Sequence, residues 1–153
     1  MIKEIMEKDF LKVSPDMGVD DLAKIFINTK KDYALVVNAE GELLGVVTET
    51  DLIFQEKKLH IPTVFTFFDS MIFLESLSKF KEEMKKITAT KVSDIMTADV
   101  TTIDESISIK DAATVMLEKD IHHLPVVEAK KPVGVVTKKC LLLAFLKERQ
   151  AIS

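Results

Sequence analysis

Residues Gly45-Val46-Val47-Thr48-Glu49-Thr50-Asp51-Leu52 read as the end of a strand running straight into the start of a helix. The apolar run does not alternate with polar residues, which predicts a strand covered on both faces. Thr48 followed three residues later by Asp51 is a helix-opening signature. The stretch has an echo, because Gly134-Val135-Val136-Thr137 repeats Gly45-Val46-Val47-Thr48 at an offset of 89. Upstream the register differs by one residue. Ile5-Met6 returns as Ile95-Met96, Asp21 as Asp111, Ala23 as Ala113 and Val36-Val37 as Val126-Val127, all at an offset of 90. The missing residue falls in a turn, where a duplicated chain tolerates a deletion.

Both copies predict the same elements. A short strand comes first, over Phe10–Val13 and Val100–Ile103. A helix follows, with Val19, Leu22, Ala23 and Phe26 on one face and Ile109, Ala112, Ala113 and Met116 on its counterpart. Ser108 and Asp111 predict a cap for the second helix. Strand pairs come next, Tyr33–Val37 with Leu43–Val47 and His123–Val127 with Val133–Val136, and a last helix starts after each threonine. The reading is an α/β (α+β) chain, β-α-β-β-α twice, with repeats at 1–56 and 91–153. An insert at 57–90 separates them. Its first part, Ile61 to Leu74, is apolar and aromatic and includes Phe65, Phe67 and Phe68. Its second part predicts a solvated helix with Glu75–Lys79 and Glu82–Lys86 pairs. The aromatic stretch suits a cover for the core, a dimer contact, or a surface for a partner or membrane.

Composition narrows the classes. In 153 residues, 47% are hydrophobic and 30% charged, which supports a real core, and the net charge of −4 argues against nonspecific nucleic-acid binding. The single cysteine, Cys140, excludes an intramolecular disulfide and fits a reducing cytoplasm. The charged opening MIKEIMEKDF does not read as a secretory signal. No apolar run reaches the roughly 18 residues of a bilayer span, since Ile61 to Leu74 is shorter and contains Pro62 and Asp69.

The duplicated element order resembles a tandem pair of CBS domains, often called a Bateman module. Asp94 to Thr97 (DIMT), His122 to Val127 (HHLPVV) and Gly45 to Leu52 (GVVTETDL) carry the resemblance. It implies two repeats related by a pseudo-twofold axis, with their sheets packed together and ligand clefts between them. It also implies a homodimer of modules. The implied regulatory ligand is an adenine nucleotide or adenosyl compound of the AMP, ADP or ATP class, signalling to an effector protein, with no cofactor, no nucleic acid and no membrane span.

Residue by residue, the resemblance assigns Thr48, Glu49 and Asp51 to ribose and phosphate. It assigns Thr101, Thr102 and Ile103 to adenine, and Lys139 to a phosphate. A weaker second site collects Val13, Ser14, His122, His123, Thr137 and Lys138. Chemistry favours the first site. A carboxylate can accept both hydrogen bonds of a ribose diol, and the second copy has Cys140 where the first has Asp51. Several residues have a second reading. Thr48 and Asp51 are equally a helix cap. Lys138 and Lys139 suit solvated lysines as well as phosphate contacts. His122 and His123 suit a structural role as well as a phosphate contact. Cys140 suits a small buried side chain as well as a reactive thiol.

The motifs contain no nucleophile–base pair, P-loop or metal spacing, so the expectation is a regulatory module rather than an enzyme. The alternatives are a ligand-free homodimeric interaction scaffold and a cyclic-di-AMP receptor.

Overall fold

A computed structural model of the chain describes residues 1–54 and 90–152, so the aromatic stretch and solvated helix expected in the insert lie outside the described residues. Helix α1 spans Ile2–Ile5, β1 Leu11–Val13, α2 Val19–Thr29, β2 Tyr33–Val37 and β3 Leu43–Thr48. A helix then begins at residue 49. Helix α3 spans Val92–Ile95, α4 Ile109–Glu118, β4 His123–Glu128, β5 Lys131–Thr137 and α5 Lys138–Ile152.

The helices form where apolar residues recur on one face. Val19, Leu22 and Phe26 of α2 are buried, as are Ala112, Ala113 and Met116 of α4. Ser108 Oγ accepts the Asp111 backbone N–H at 3.0 Å and opens α4. Strand β2 buries Tyr33, Ala34, Leu35 and Val36, as its unbroken apolar run predicts. Strands β4 and β5 pair antiparallel across Ala129 and Lys130, whose φ values of 50° and 67° make a tight hairpin turn without glycine.

One predicted strand is missing. Strand β1 pairs parallel with β2 over three residues, Leu11 with Ala34, Lys12 with Leu35 and Val13 with Val36. Its counterpart at Val100–Ile103 shrinks to a single bridge between Ile103 and Val126. There Ile103 donates to the Pro125 carbonyl at 3.0 Å and accepts from Val127 at 2.9 Å. The next rung of a parallel ladder would run from the residue 125 N–H to the Thr101 carbonyl, and proline has no N–H. Leu35 occupies the equivalent place in the first copy.

Two short helices, α1 and α3, were not legible as helices, and each packs in the unit that holds the strands of the other copy. The chain forms two compact units. One contains Met1–Phe10, Ala39–Leu43 and the residues from Asp99 onward, and the other contains Leu11–Asn38 and the described residues between Leu44 and Ala98. Each leading segment therefore belongs with the strands of the other copy. In the first unit, Ile2 and Met6 join Ala112, Met116, Leu124, Val126 and Val136 in the core, while Glu7 and Val135 exchange backbone hydrogen bonds of 2.8 and 2.9 Å. In the second unit, Val92 joins Val13, Leu22, Phe26, Val36 and Val47, while Val46 and Thr97 exchange bonds of 3.0 and 2.9 Å.

The repeated glycines permit these bridges. A methyl group on Gly45 would lie 2.7 Å from the Thr97 carbonyl oxygen and 2.8 Å from Met96 Sδ. One on Gly134 would lie 2.7 Å from Met6 Cγ. A side chain can turn aside, whereas a backbone carbonyl fixed by its own hydrogen bonds cannot. Gly45→Ala is therefore expected to destabilise the protein by about 1–3 kcal/mol through overpacking. Gly134→Ala is expected to cost less, and urea unfolding of the two variants measures the difference.

Candidate functional site

The helix after β3 starts with a closed reciprocal cap. Asp51 Oδ2 accepts the Thr48 backbone N–H at 2.9 Å and the Thr48 hydroxyl at 3.2 Å, and Thr48 Oγ1 accepts the Asp51 N–H at 3.4 Å. Both side chains are half-buried, and Glu49 is exposed. The backbone donors at this helix start are largely committed within the fold. The Thr48 N–H is taken by Asp51, and the Glu49 N–H donates to the Asp32 carbonyl at 3.0 Å. What stays open is on the side chain, since Asp51 Oδ1 accepts no hydrogen bond from a described residue.

The second copy builds the same turn with different chemistry. The Thr137 hydroxyl approaches Cys140 Sγ at 3.2 Å, and the Cys140 N–H donates to Thr137 Oγ1 at 3.3 Å. A thiol donates and accepts weakly and carries no second oxygen. No acidic residue stands in the first turn of α5, where Lys138 and Lys139 are both exposed. Two cations at the positive end of a helix dipole are unfavourable for that helix.

The other expected residues fall as follows. Thr101 is half-buried, Thr102 is exposed and Ile103 is buried in the core. Ile103 uses its own N–H and carbonyl in the bridge to β4, so its backbone is not free to read an adenine edge. Thr101 and Thr102 make no hydrogen bond with a described residue. The loss of the rung at Pro125 accounts for the open Thr101 carbonyl. Val13 is buried and paired with Val36, while Ser14 is exposed and its Oγ accepts the Asp16 N–H at 3.1 Å. His123 opens β4 directly opposite Thr137, and His122 precedes the strand, exposed. Thr48, Glu49, Asp51, Val13 and Ser14 lie in one unit. Thr101 to Ile103, His122, His123 and Thr137 to Lys139 lie in the other.

The CBS domain family model matches residues 2–57 and again 92–147. The chain belongs to the CBS-domain family. It is 29% identical to the uncharacterised protein MJ1426 of Methanocaldococcus jannaschii, across 95% of this chain and 91% of that one. Among solved structures it is similar to CBSX2 from Arabidopsis thaliana in complex with AMP, with a TM-score of 0.74, 23% identity and 97% of each chain covered. It is also similar to the CBS domain pair of protein MJ0100 in complex with 5′-methylthioadenosine and S-adenosyl-L-methionine, with a TM-score of 0.69, 21% identity and 97% of each chain covered. These likenesses bear out the expected family and fold. Among the described residues, no helix is long and apolar enough to cross a membrane.

The cap itself can be tested without a ligand. Asp51→Ala removes both side-chain acceptor contacts and is expected to cost about 1 kcal/mol. Asp51→Asn keeps an oxygen for the Thr48 N–H and is expected to cost a few tenths. Chemical denaturation of both variants checks the ordering.

Proposed function

We propose that the protein is a non-catalytic, homodimeric regulatory module that binds an adenosine ligand of the AMP, ADP or ATP class. Occupancy is passed to an effector protein by a shift between conformers that bind the ligand unequally. The observation that carries this reading is the asymmetry of the two caps. Asp51 commits only Oδ2 to its helix and keeps Oδ1 for a second donor, whereas Cys140 has no carboxylate to offer. A carboxylate so placed suits a ribose diol.

The same reading gives the adenine edge to the open backbone groups of Thr101 and Thr102, and a phosphate to the exposed ammonium of Lys139. It keeps Glu49 and Ile103 as neighbours of the ligand, Ile103 through its side chain alone. The weaker position takes Val13, Ser14, His122, His123, Thr137 and Lys138. Supporting it, CBS pairs of the same fold hold AMP in CBSX2 and adenosyl compounds in MJ0100. The half-buried free thiol of Cys140 suits a reducing compartment such as the cytoplasm.

Calorimetry and thermal shift with AMP, ADP, ATP, S-adenosylmethionine and cyclic-di-AMP test the reading. A ligand at 100 times its Kd is expected to add about 2.7 kcal/mol of stability to the wild type and to Cys140→Ala. Asp51→Asn is expected to lose that gain while giving up little of its unliganded stability. Cys140→Asp is expected to raise the stoichiometry from one ligand per chain toward two. No response to any of the five compounds would overturn the proposal in favour of a ligand-free scaffold. One cyclic-di-AMP per two chains would replace it with a cyclic-dinucleotide receptor.

A further inference from the structure

The two equivalent turns differ in charge wherever their residues differ. Asp32 corresponds to His122 at the repeat offset of 90. Glu49, Thr50 and Asp51 correspond to Lys138, Lys139 and Cys140 at the offset of 89. Each of these positions is the more acidic one in the first copy.

The three acids of the first copy are gathered at one place. The Glu49 N–H donates to the Asp32 carbonyl at 3.0 Å, and the Asp51 carboxylate closes the turn on Thr48. Asp32 and Glu49 are exposed, Asp51 is half-buried, and all three lie in one unit. Glu49 makes no ion pair with a described residue. A helix start ordinarily attracts phosphate through open N–H groups and the positive end of the helix dipole. Here the N–H groups of Thr48 and Glu49 have partners inside the fold, and the positive end already faces Glu49 and Asp51. A ribose diol has hydrogen bonds to donate to a carboxylate. A phosphate brings only acceptors and like charge.

We propose that Asp32 and Glu49 are specificity-determining residues of the Asp51 site. They admit an adenosine ligand with one phosphate or none and disfavour each phosphate added beyond the first. This rests on the adenosine reading above and names which members of that ligand class the site takes. In that reading one phosphate has a cation, the ammonium of Lys139. A second and a third phosphate add negative charge with no further cation among the residues assigned to the site. Asp32 and Glu49 therefore act against the longer phosphate chain and leave the nucleoside contacts to Asp51.

Calorimetry on the full chain compares AMP with ATP in EDTA, so that no divalent cation masks the phosphate charge. Only the binding that Asp51→Asn removes is counted, which sets aside any anion held by Lys138 and Lys139 alone. AMP is expected to bind about ten-fold tighter than ATP at low salt, the combined scale of two exposed charges. Asp32→Asn and Glu49→Gln are each expected to shrink that ratio about three-fold, and the double variant nearly abolishes it. Raising the ionic strength from about 0.01 M to about 1 M shortens the screening length from about 30 Å to about 3 Å and is expected to narrow the wild-type ratio in the same way. A purely structural role for the two acids would change stability, or the affinity for both nucleotides alike, and leave the ratio unmoved. That result overturns the proposal, as does ATP binding at the Asp51 site as tightly as AMP, and the adenosine reading survives either one. Absence of binding by both nucleotides overturns the proposal and that reading together.

Discussion

Everything in this molecule hangs on two short backbone bridges. Glu7 with Val135, and Val46 with Thr97, each exchange a pair of N–H···O hydrogen bonds of 2.8–3.0 Å. Each bridge ties the segment that precedes one repeat to the strand that closes the other. The bridged strands, β3 and β5, are the outer strands of their sheets, so the leading segments occupy edges that would otherwise be exposed to pairing with another chain. The bridges also fix where Met6 and Met96 go. Each lies against a glycine whose missing side chain leaves the space, and in the first unit Met6 and Ile2 close the core. Glycine in the interior of a strand normally weakens it, and here the gain in close packing offsets that cost.

Once the leading segments are placed, the rest of each unit follows from burial. Strands β2 and β4 have apolar neighbours on both faces, and the amphipathic helices α2 and α4 cover them. This leaves the turn after Thr48 and the turn after Thr137 as the places where polar groups gather at the end of a buried strand. The duplication has kept the backbone of those turns and changed their chemistry. One carries a carboxylate cap and an acidic lead, and the other a thiol and two lysines. Two turns built on one backbone can in this way differ in chemistry and in charge.

Much of this was legible in the residues. The 3.6-residue rhythm of Val19, Leu22 and Phe26, the unbroken run Tyr33 to Val36 and the Thr48–Asp51 cap are local features, and the structure shows all three. Two errors have physical causes. Val100 to Ile103 reads as a strand on its own residues, but a strand needs donors from its neighbour, and Pro125 lacks the one that would continue the ladder past Ile103. Helices α1 and α3 are four residues each, too short for periodicity to reveal. A signal for their role was present all the same. Gly45 and Gly134 interrupt apolar strands, and an isolated glycine there points to close approach by another backbone.

The sequence by itself determined the order of elements, the faces that would be buried, the duplication, and the identity of the cap residues, because each depends on neighbours within a few positions along the chain. Only the tertiary structure decided which strand each leading segment would join, that Ile103 would use its backbone internally, and that Asp51 would retain one uncommitted oxygen. Those outcomes depend on hydrogen-bond partners brought together from distant parts of the chain. No local propensity records which of the available donors reaches an acceptor first.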